Sequence, residues 1–482
     1  MTKSFLTFTA WSKTSLGPII GLKIGPTNLV VLNHPSPVRH LLQESSAALS
    51  ARPKLPIVQK YIFPNDDDHP LWSNAEDHAL MRRALIHHTS AVGITQAAPL
   101  LRAFAGRLAK DLGDGVDFNE ALHTWAYDIA LAVQFGKTTA DMGPGWMLEY
   151  REVHRCFLRV VEPGVAQLAG IWPIVAWLPD WMAGGWKKDA EQARRGFDET
   201  YGLLVGDTKG TGGGGRFESM VSRYHRETEE KRKNGSKEGR LDKRGMELVA
   251  GSVLDASAGT VLSTMLFLVQ ALAKFPEVQR KAQAEVDEAW GRNGGLPGDI
   301  DTAQLPYVSA CVLEVLRWRP PLPLSVPRMC LADQTVDGYR IPAGTTVVTN
   351  VWAIQHDPDA YDRPEEFEPE RFLRHPLGKN GPVGENDGRK QPLPAFGTGR
   401  RACPGDQLAL HQMGIAIAIL LWAYGVVSEG EIDCSPETGI LEGLAVTPSP
   451  FHVKFLPRDQ GVEQSVLEEA RRANVSLAML LD

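Results

Sequence analysis

The 482-residue chain lacks several features that would assign a class at once. It has no cysteine framework: Cys156, Cys311, Cys330, Cys403 and Cys434 are odd in number and scattered, with no C-x-x-C pair. That excludes a disulfide scaffold and favours a reducing, cytosolic compartment. It has no basic excess. Its 51 Lys+Arg against 58 Asp+Glu leave a net charge of −7, which argues against a nucleic-acid binder. No apolar run reaches the roughly 18 residues of a membrane span. The longest, 414–427, fits a buried helix. Residues 1–11 hold one lysine and a short apolar patch, and read as neither signal peptide nor anchor. Internal repeats are absent. At about 150 residues per domain the length would hold about three, yet no linker separates two self-sufficient halves. One domain over 1–482 is therefore expected.

What is present is mostly helical pattern. Residues 246–274 form a long apolar stretch that stops at Pro276, and 277–290 alternate charge with apolar positions in amphipathic spacing. A third helix is predicted over 307–318, ended by Pro320 and Pro321, and a fourth over 406–422. Residues 206–216, with four consecutive glycines, and 376–394 read as surface loops. Strand signals are few. One hairpin is predicted over 19–32 around Gly25-Pro26-Thr27-Asn28, another over 336–350 around Ile341-Pro342-Ala343-Gly344. The fold class is mainly α with a small β region. Residues 462–482 keep helical apolar spacing through Val466, Ala470 and Leu477, predicting a C-terminal extension that packs on the body or touches a membrane surface.

The chemistry points to residues 394–405. Cys403 precedes an apolar helix, with Arg400 and Arg401 close by, and both features favour a thiolate. Gly399 and Gly405 suit a backbone that approaches a large flat ligand. Phe396, Gly399, Arg401, Cys403 and Gly405 form F-x-x-G-x-R-x-C-x-G. At roughly one in twenty per position, the pattern arises by chance about once in several thousand such chains. By this motif the chain resembles the cytochrome P450 family, over about Gly17 to Pro457. The runs at 276–285 and 352–358 resemble its fungal E-class members.

The resemblance implies the P450 fold around haem b, with Cys403 as the iron's axial ligand. Thiolate donation to haem iron favours O–O cleavage. It implies that Glu314, Arg317 and Arg371, the last in Phe367-Glu368-Pro369-Glu370-Arg371-Phe372, form a buried structural lock. It implies that Arg82, Arg328 and Arg401 meet the haem carboxylates. The element around Arg82 is degraded, with His78 and Ala79 where the family has Trp and Arg. The activity implied is monooxygenation of a lipophilic small molecule in secondary metabolism, with electrons from NADPH through a partner cytochrome reductase. A basic patch of Arg82, Arg83, His87, His88, Arg389, Lys390 and Arg400 is expected to receive that partner. The chain is expected to be a monomer, cytoplasmic or peripheral at the endoplasmic reticulum, and without a transmembrane helix.

One departure matters. The family's central helix carries an acid before a threonine for proton delivery. Here Thr260 is kept and Gly259 replaces the acid, in Ala256-Ser257-Ala258-Gly259-Thr260-Val261. Asp255 lies about 140° round the helix from Thr260 and is no substitute. Ser257, one turn before Thr260, is placed to hold a water on the same face. Three accounts stay open: a relay through Ser257 and Thr260, peroxide-driven or oxygen-independent isomerase or dehydratase chemistry, and a weak or inactive enzyme. A non-catalytic haem protein is the rival from another class.

Overall fold

The computed structural model describes residues 3–14, 16–64, 82–83, 85–86, 88–161, 177–179, 181–182, 184–206, 216–234, 241–291, 302–383, 393–443 and 445–481. Helix α1 (Ser4–Ser12) lays Phe5 and Phe8 on the body. Strands β1 (Ile19–Ile24) and β2 (Thr27–Leu32) pair antiparallel, with Ile24 opposite Thr27, so the first predicted hairpin is present. Among the described residues eight long helices follow: α2 (Ala91–Gly113), α3 (Phe118–Phe135), α4 (Trp146–Val161), α5 (Trp186–Gly206), α6 (Met220–Lys233), α7 (Lys243–Lys274), α8 (Pro276–Trp290) and α9 (Pro306–Trp318). Their starts are encoded locally. Ser90, Asp117, Ser219 and Asp242 accept first-turn N–H groups, and Pro276 and Pro306 open α8 and α9.

The second hairpin is not where the sequence reading put it. Strands β3 (Arg328–Met329), β4 (Gln334–Val336), β5 (Tyr339–Ile341) and β6 (Thr346–Thr349) follow α9. The turn is Asp337-Gly338, both at positive φ (47° and 80°), between β4 and β5. Asp-Gly is the pair that a tight two-residue hairpin demands. The later Pro-Ala-Gly run only leads into β6, which joins β2 in parallel in a sheet ordered β1-β2-β6-β3. The chain ends with α10 (Asp406–Ala423), β7 (Tyr424–Ser428), β8 (Ile440–Leu441), β9 (Thr447–Pro448), β10 (Val453–Pro457) and α11 (Val462–Leu481). Of the predicted loops, 207–215 and 384–392 lie outside the described residues, and 376–383 forms neither helix nor strand.

Helix α7 organises the interior. Val261 to Leu272 pack in an apolar cluster with α2, α3, α8, α9, α10 and α11. Met246 to Ala258 pack in a second cluster with α3, α4, α5 and α6. Helices α7 and α10 are long and apolar enough to cross a membrane, but 72% and 67% of those windows are buried inside the fold. They are core helices by position. Where the two clusters meet, Ala256 is exposed and Ser257, Gly259 and Thr260 are half-buried. Among the described residues, the central helix is open there for about one turn.

Just before this opening, α4 and α5 are bolted to α7. Gly196 leaves room for Val153, and Gly251 lets the Tyr201 ring lie against α7, where an added Cβ would meet it at 2.3 Å. Asp255 accepts hydrogen bonds from the hydroxyls of Tyr150 and Tyr201 and contacts His154 Nε2 at 3.0 Å. Burial pushes this carboxyl up, yet His154 and the hydroxyls outweigh burial and hold it below its usual range.

The C-terminal extension packs on the body. Val462, Val466, Ala470, Ala473 and Leu477 are buried, and α11 lies along α2. Glu469, close to Gly106, pairs with Arg102 through two bonds of 2.7 and 2.9 Å. The backbone N–H groups of Arg216 and Phe217 donate to Met479 and Leu480 carbonyls and hold its end.

Gly251→Ala should force the Tyr201 ring off α7 and loosen its bond to Asp255. Overpacking of this kind costs about 1–3 kcal/mol. A lower urea midpoint with an unchanged slope is the expected result; an unchanged midpoint would mean that α5 can move away freely.

Candidate active site

The site is built from a short loop ahead of α10. Its first turn, Pro394–Phe396, packs against α9 and the helix Val351–Gln355. Its second turn, Gly399–Arg401, packs against the turn Arg39–Glu44. Gly399 has φ +67°, and a Cβ there would meet the Leu42 carbonyl oxygen at 1.8 Å. This glycine is therefore fixed by an approach of chain to chain, not by a ligand. Gly405 meets nothing within 4 Å and caps α10. The Cys403 N–H donates to the Phe396 carbonyl at 2.8 Å, and the Ala402 N–H to that of Gly399 at 3.0 Å. Phe396 is half-buried against the core. The loop thus holds Cys403 just ahead of the helix.

Cys403 has exposed surface, although nearby protein still desolvates its thiol. Burial pushes its pKa up to about 11, against the Gly405 N–H, which donates to it, and the Arg82 charge. The helix start and an arginine do favour the thiolate, through the Gly405 N–H and Arg82, but desolvation outweighs them. A bound metal cation deprotonates such a thiol outright.

Three arginines predicted from sequence converge on this loop. Arg82 Nη1 donates to the Ala402 carbonyl at 2.9 Å. Arg328 Nη2 donates to the Thr398 carbonyl at 2.5 Å, and Arg401 Nε to that of Ser50 at 2.7 Å. A fourth, Arg52, was not predicted. It is 7% exposed and donates from Nη1 to the carbonyls of Val326 and Pro327, at 2.9 and 2.7 Å. Burial, with charge repulsion inside the cluster, pulls Arg328 and Arg401 down to about 10. No motif marks Arg52; its only signal was a lone Arg-Pro pair. An exposed thiol beside Arg82, on a loop that Arg328 and Arg401 tie to its surroundings, fits an iron-bearing group with anionic arms. His78 and Ala79, beside Arg82, lie outside the described residues.

Behind the loop sits the predicted lock. Glu314 and Arg317 are wholly buried and Arg371 is 3% exposed. Arg317 Nε and Nη2 donate to the two Glu314 oxygens at 2.8 Å each. Arg371 Nε and the Glu368 N–H donate to Glu314 Oε1 at 3.1 and 2.9 Å. Arg317 also reaches the carbonyls of Gln355, Pro364 and Glu366 at 2.9, 2.8 and 3.1 Å. One carboxylate thus ties α9 to the whole segment that leads toward the cysteine loop.

On α7, Thr260 Oγ1 donates to the Ala256 carbonyl at 2.7 Å. Ser257 does not share that site as expected. Its hydroxyl donates to the Leu254 carbonyl at 3.4 Å and accepts from Gln134 Nε2 of α3 at 3.3 Å. The residue three places before Thr260 is rotated toward a neighbouring helix. Gly259 has open space around a would-be Cβ. Asp255 is committed to α4 and α5, as the helical angle required. The predicted basic patch is smaller than expected. Arg82 turns inward and His88 is 6% exposed, its Nε2 2.9 Å from the Glu218 carbonyl. Arg83 and Arg400 face solvent, while His87, Arg389 and Lys390 lie outside the described residues.

Comparison with known proteins agrees with this arrangement. The family model described as Cytochrome P450 matches residues 2–455. The chain is 30% identical over 482 residues to cytochrome P450 monooxygenase anuE of Penicillium roqueforti, covering 97% of this chain and 95% of that one. It is 28% identical to cytochrome P450 monooxygenase macC of Penicillium terrestre, covering 97% and 88%. Among solved structures, a zebra fish cytochrome P450 with progesterone superposes with a TM-score of 0.76 at 21% identity, covering 95% of this chain and all of that one. That likeness concerns the fold.

Glu314→Gln would leave Arg317 as a buried, uncompensated charge and Arg371 with Glu368 alone. Losing one partner of such a group costs about 3–5 kcal/mol. The loss should be visible in equilibrium unfolding, and Glu314→Asp should recover part of it. Wild-type stability in Glu314→Gln would refute the lock.

Proposed function

The chain belongs to the cytochrome P450 family, and we propose that it is a haem-thiolate monooxygenase acting on a lipophilic small molecule of fungal secondary metabolism. One observation carries the reading: the loop that presents the exposed Cys403 takes hydrogen bonds from Arg82 and the buried Arg328, with the buried Arg52 bonded to the adjoining 326–327 backbone. Cys403 would hold the iron of haem b, and Arg82, Arg328 and Arg401 its carboxylates. When bound, the haem supplies activation of dioxygen, which is the cofactor's own chemistry. The protein supplies the rest. The Gly405 N–H tempers the sulfur's charge, the lock keeps the loop in place, and the open turn of α7 offers Thr260 as the hydroxyl nearest a proton path. NADPH would serve through a partner reductase that docks near Arg400 and Arg83. The chain would act as a monomer. Exposed Trp177, Trp181 and Met182, at 86, 82 and 55%, support peripheral contact with a membrane surface such as the endoplasmic reticulum.

Gly259 favours a second reading, in which peroxide drives the reaction or the substrate is isomerised or dehydrated without oxygen. Ser257, turned to Gln134, gives the missing acid no direct replacement.

Cys403→Ala should abolish the reduced-CO band of thiolate-ligated haem, while Cys156, Cys311, Cys330 and Cys434 should each tolerate alanine or serine. Retention of that band in Cys403→Ala would end the proposal.

Thr260→Ala should lower coupled product formation about 10-fold or more, because proton delivery contributes at least that much. The measurement is NADPH consumed per product formed, with reductase present, against the same reaction run with peroxide. If Thr260→Ala leaves coupling unchanged, the second reading takes over.

A further inference from the structure

Buried cations in this fold usually meet acids. Arg317 and Arg371 meet Glu314, Arg371 also meets Glu368, and Arg319 meets Glu365. The group around the cysteine loop breaks that pattern. Arg52 and Arg328 are 7 and 6% exposed, yet each bonds only backbone carbonyls. Arg52 Nε and Arg328 Nη1 are buried without a hydrogen-bond partner. No carboxylate among the described residues pairs with Arg52, Arg82 or Arg328. Burial, with Arg401 and Arg328 beside it, pulls the Arg52 pKa down to about 9. The chain nevertheless builds a cradle for this side chain. Arg401 reaches back to the Ser50 carbonyl two residues away, and the Met329 N–H donates to the Ala51 carbonyl at 2.9 Å. Uncompensated buried charge is costly, and it persists where an anion completes the site.

We infer that Arg52 is a positioning residue for the anionic edge of the bound haem, adding its charge to those of Arg328 and Arg401 where the cofactor's carboxylates lie. This rests on the haem-binding reading above. Arg52 braces the 326–327 backbone, which carries Arg328, and so acts both through its own charge and through its neighbour.

The test compares wild type, Arg52→Gln and Arg52→Lys as haem-loaded proteins. Gln keeps an N–H donor for the Val326 and Pro327 carbonyls but removes the charge; Lys keeps the charge. Haem release is followed by transfer to excess apomyoglobin, and the midpoint reduction potential by spectroelectrochemistry. Arg52→Gln should release haem about tenfold faster, the worth of one charge-assisted bond. Its potential should fall, because a positive charge near the haem edge favours the reduced form. Arg52→Lys should stay close to wild type in both. Wild-type release and potential in Arg52→Gln would overturn the inference, as would equal losses in Gln and Lys, which mark a mere brace. Should Arg52→Gln fail to load haem, Arg52→Lys decides alone: a wild-type rate supports the role of charge, and a raised rate removes it. A wild-type chain that takes up no haem would overturn the functional reading itself, before any variant is compared.

Discussion

The Glu314 carboxylate is the constraint on which the architecture around the site depends. It is wholly buried and accepts bonds from two guanidinium groups and one backbone N–H. An isolated carboxylate could not pay the desolvation cost of that position; this one persists because its oxygens are met on every side. The same arginines then reach backbone carbonyls at 355, 362, 364 and 366, none of which lies in regular sheet. A stretch with little secondary structure of its own is thereby given a fixed path. The loop of Cys403 follows that stretch in the chain, and its first turn rests on α9, which carries Glu314.

The cysteine loop uses charge in the opposite way. There the guanidinium groups are held by carbonyl oxygens, and charge is left over. A lock and a receptor differ in that respect: the lock contains the acid that its arginines share, while the receptor is complete only with something anionic. The raised thiol of Cys403 fits the same logic. Neither the loop nor its arginines are at their electrostatic optimum alone, and a group carrying metal cation and carboxylates relieves both.

Much of this was legible in the sequence where a residue type is demanded by local physics. Cys403, its glycines and the Glu314-x-x-Arg317 pair follow from short-range spacing, and the long helices from apolar period and capping residues. What sequence could not give was direction across the fold. Ser257 was read as a partner of Thr260 because both lie within one turn, but α3 supplies Gln134 on that side, and the hydroxyl goes there. Asp255 was read only as no substitute for the missing acid; its partners Tyr150, His154 and Tyr201 come from positions 54 to 105 residues away. Arg52 carried no pattern at all, since its role depends on Arg328 and Arg401, brought beside it by the β3 pairing. The second hairpin failed for a simpler reason. The turn was placed at the Pro-Ala-Gly run, whereas Asp337-Gly338 takes positive φ at two successive positions.

The middle of α7 shows why an acid could be lost there without loss of the fold. The helix is fixed on its N-terminal side by Asp255, Gly251 and the aromatic residues of α4 and α5, and on its C-terminal side by the apolar run from Val261. Of residues 256–260, Ala258 packs in the core and Ser257 meets Gln134, so Gly259 need contribute nothing to holding the helix in place. Gly259 has space beside it, so packing exerts no pressure on its side chain, and a helical glycine costs only about 1 kcal/mol relative to alanine. Identity at 259 is thus free to answer to chemistry alone. Thr260 is held differently: its hydroxyl is engaged by the Ala256 carbonyl one turn back, within the open segment. Of the two positions that the family pairs for proton delivery, this chain keeps the one that its own helix orients and gives up the one that nothing in the surrounding structure requires.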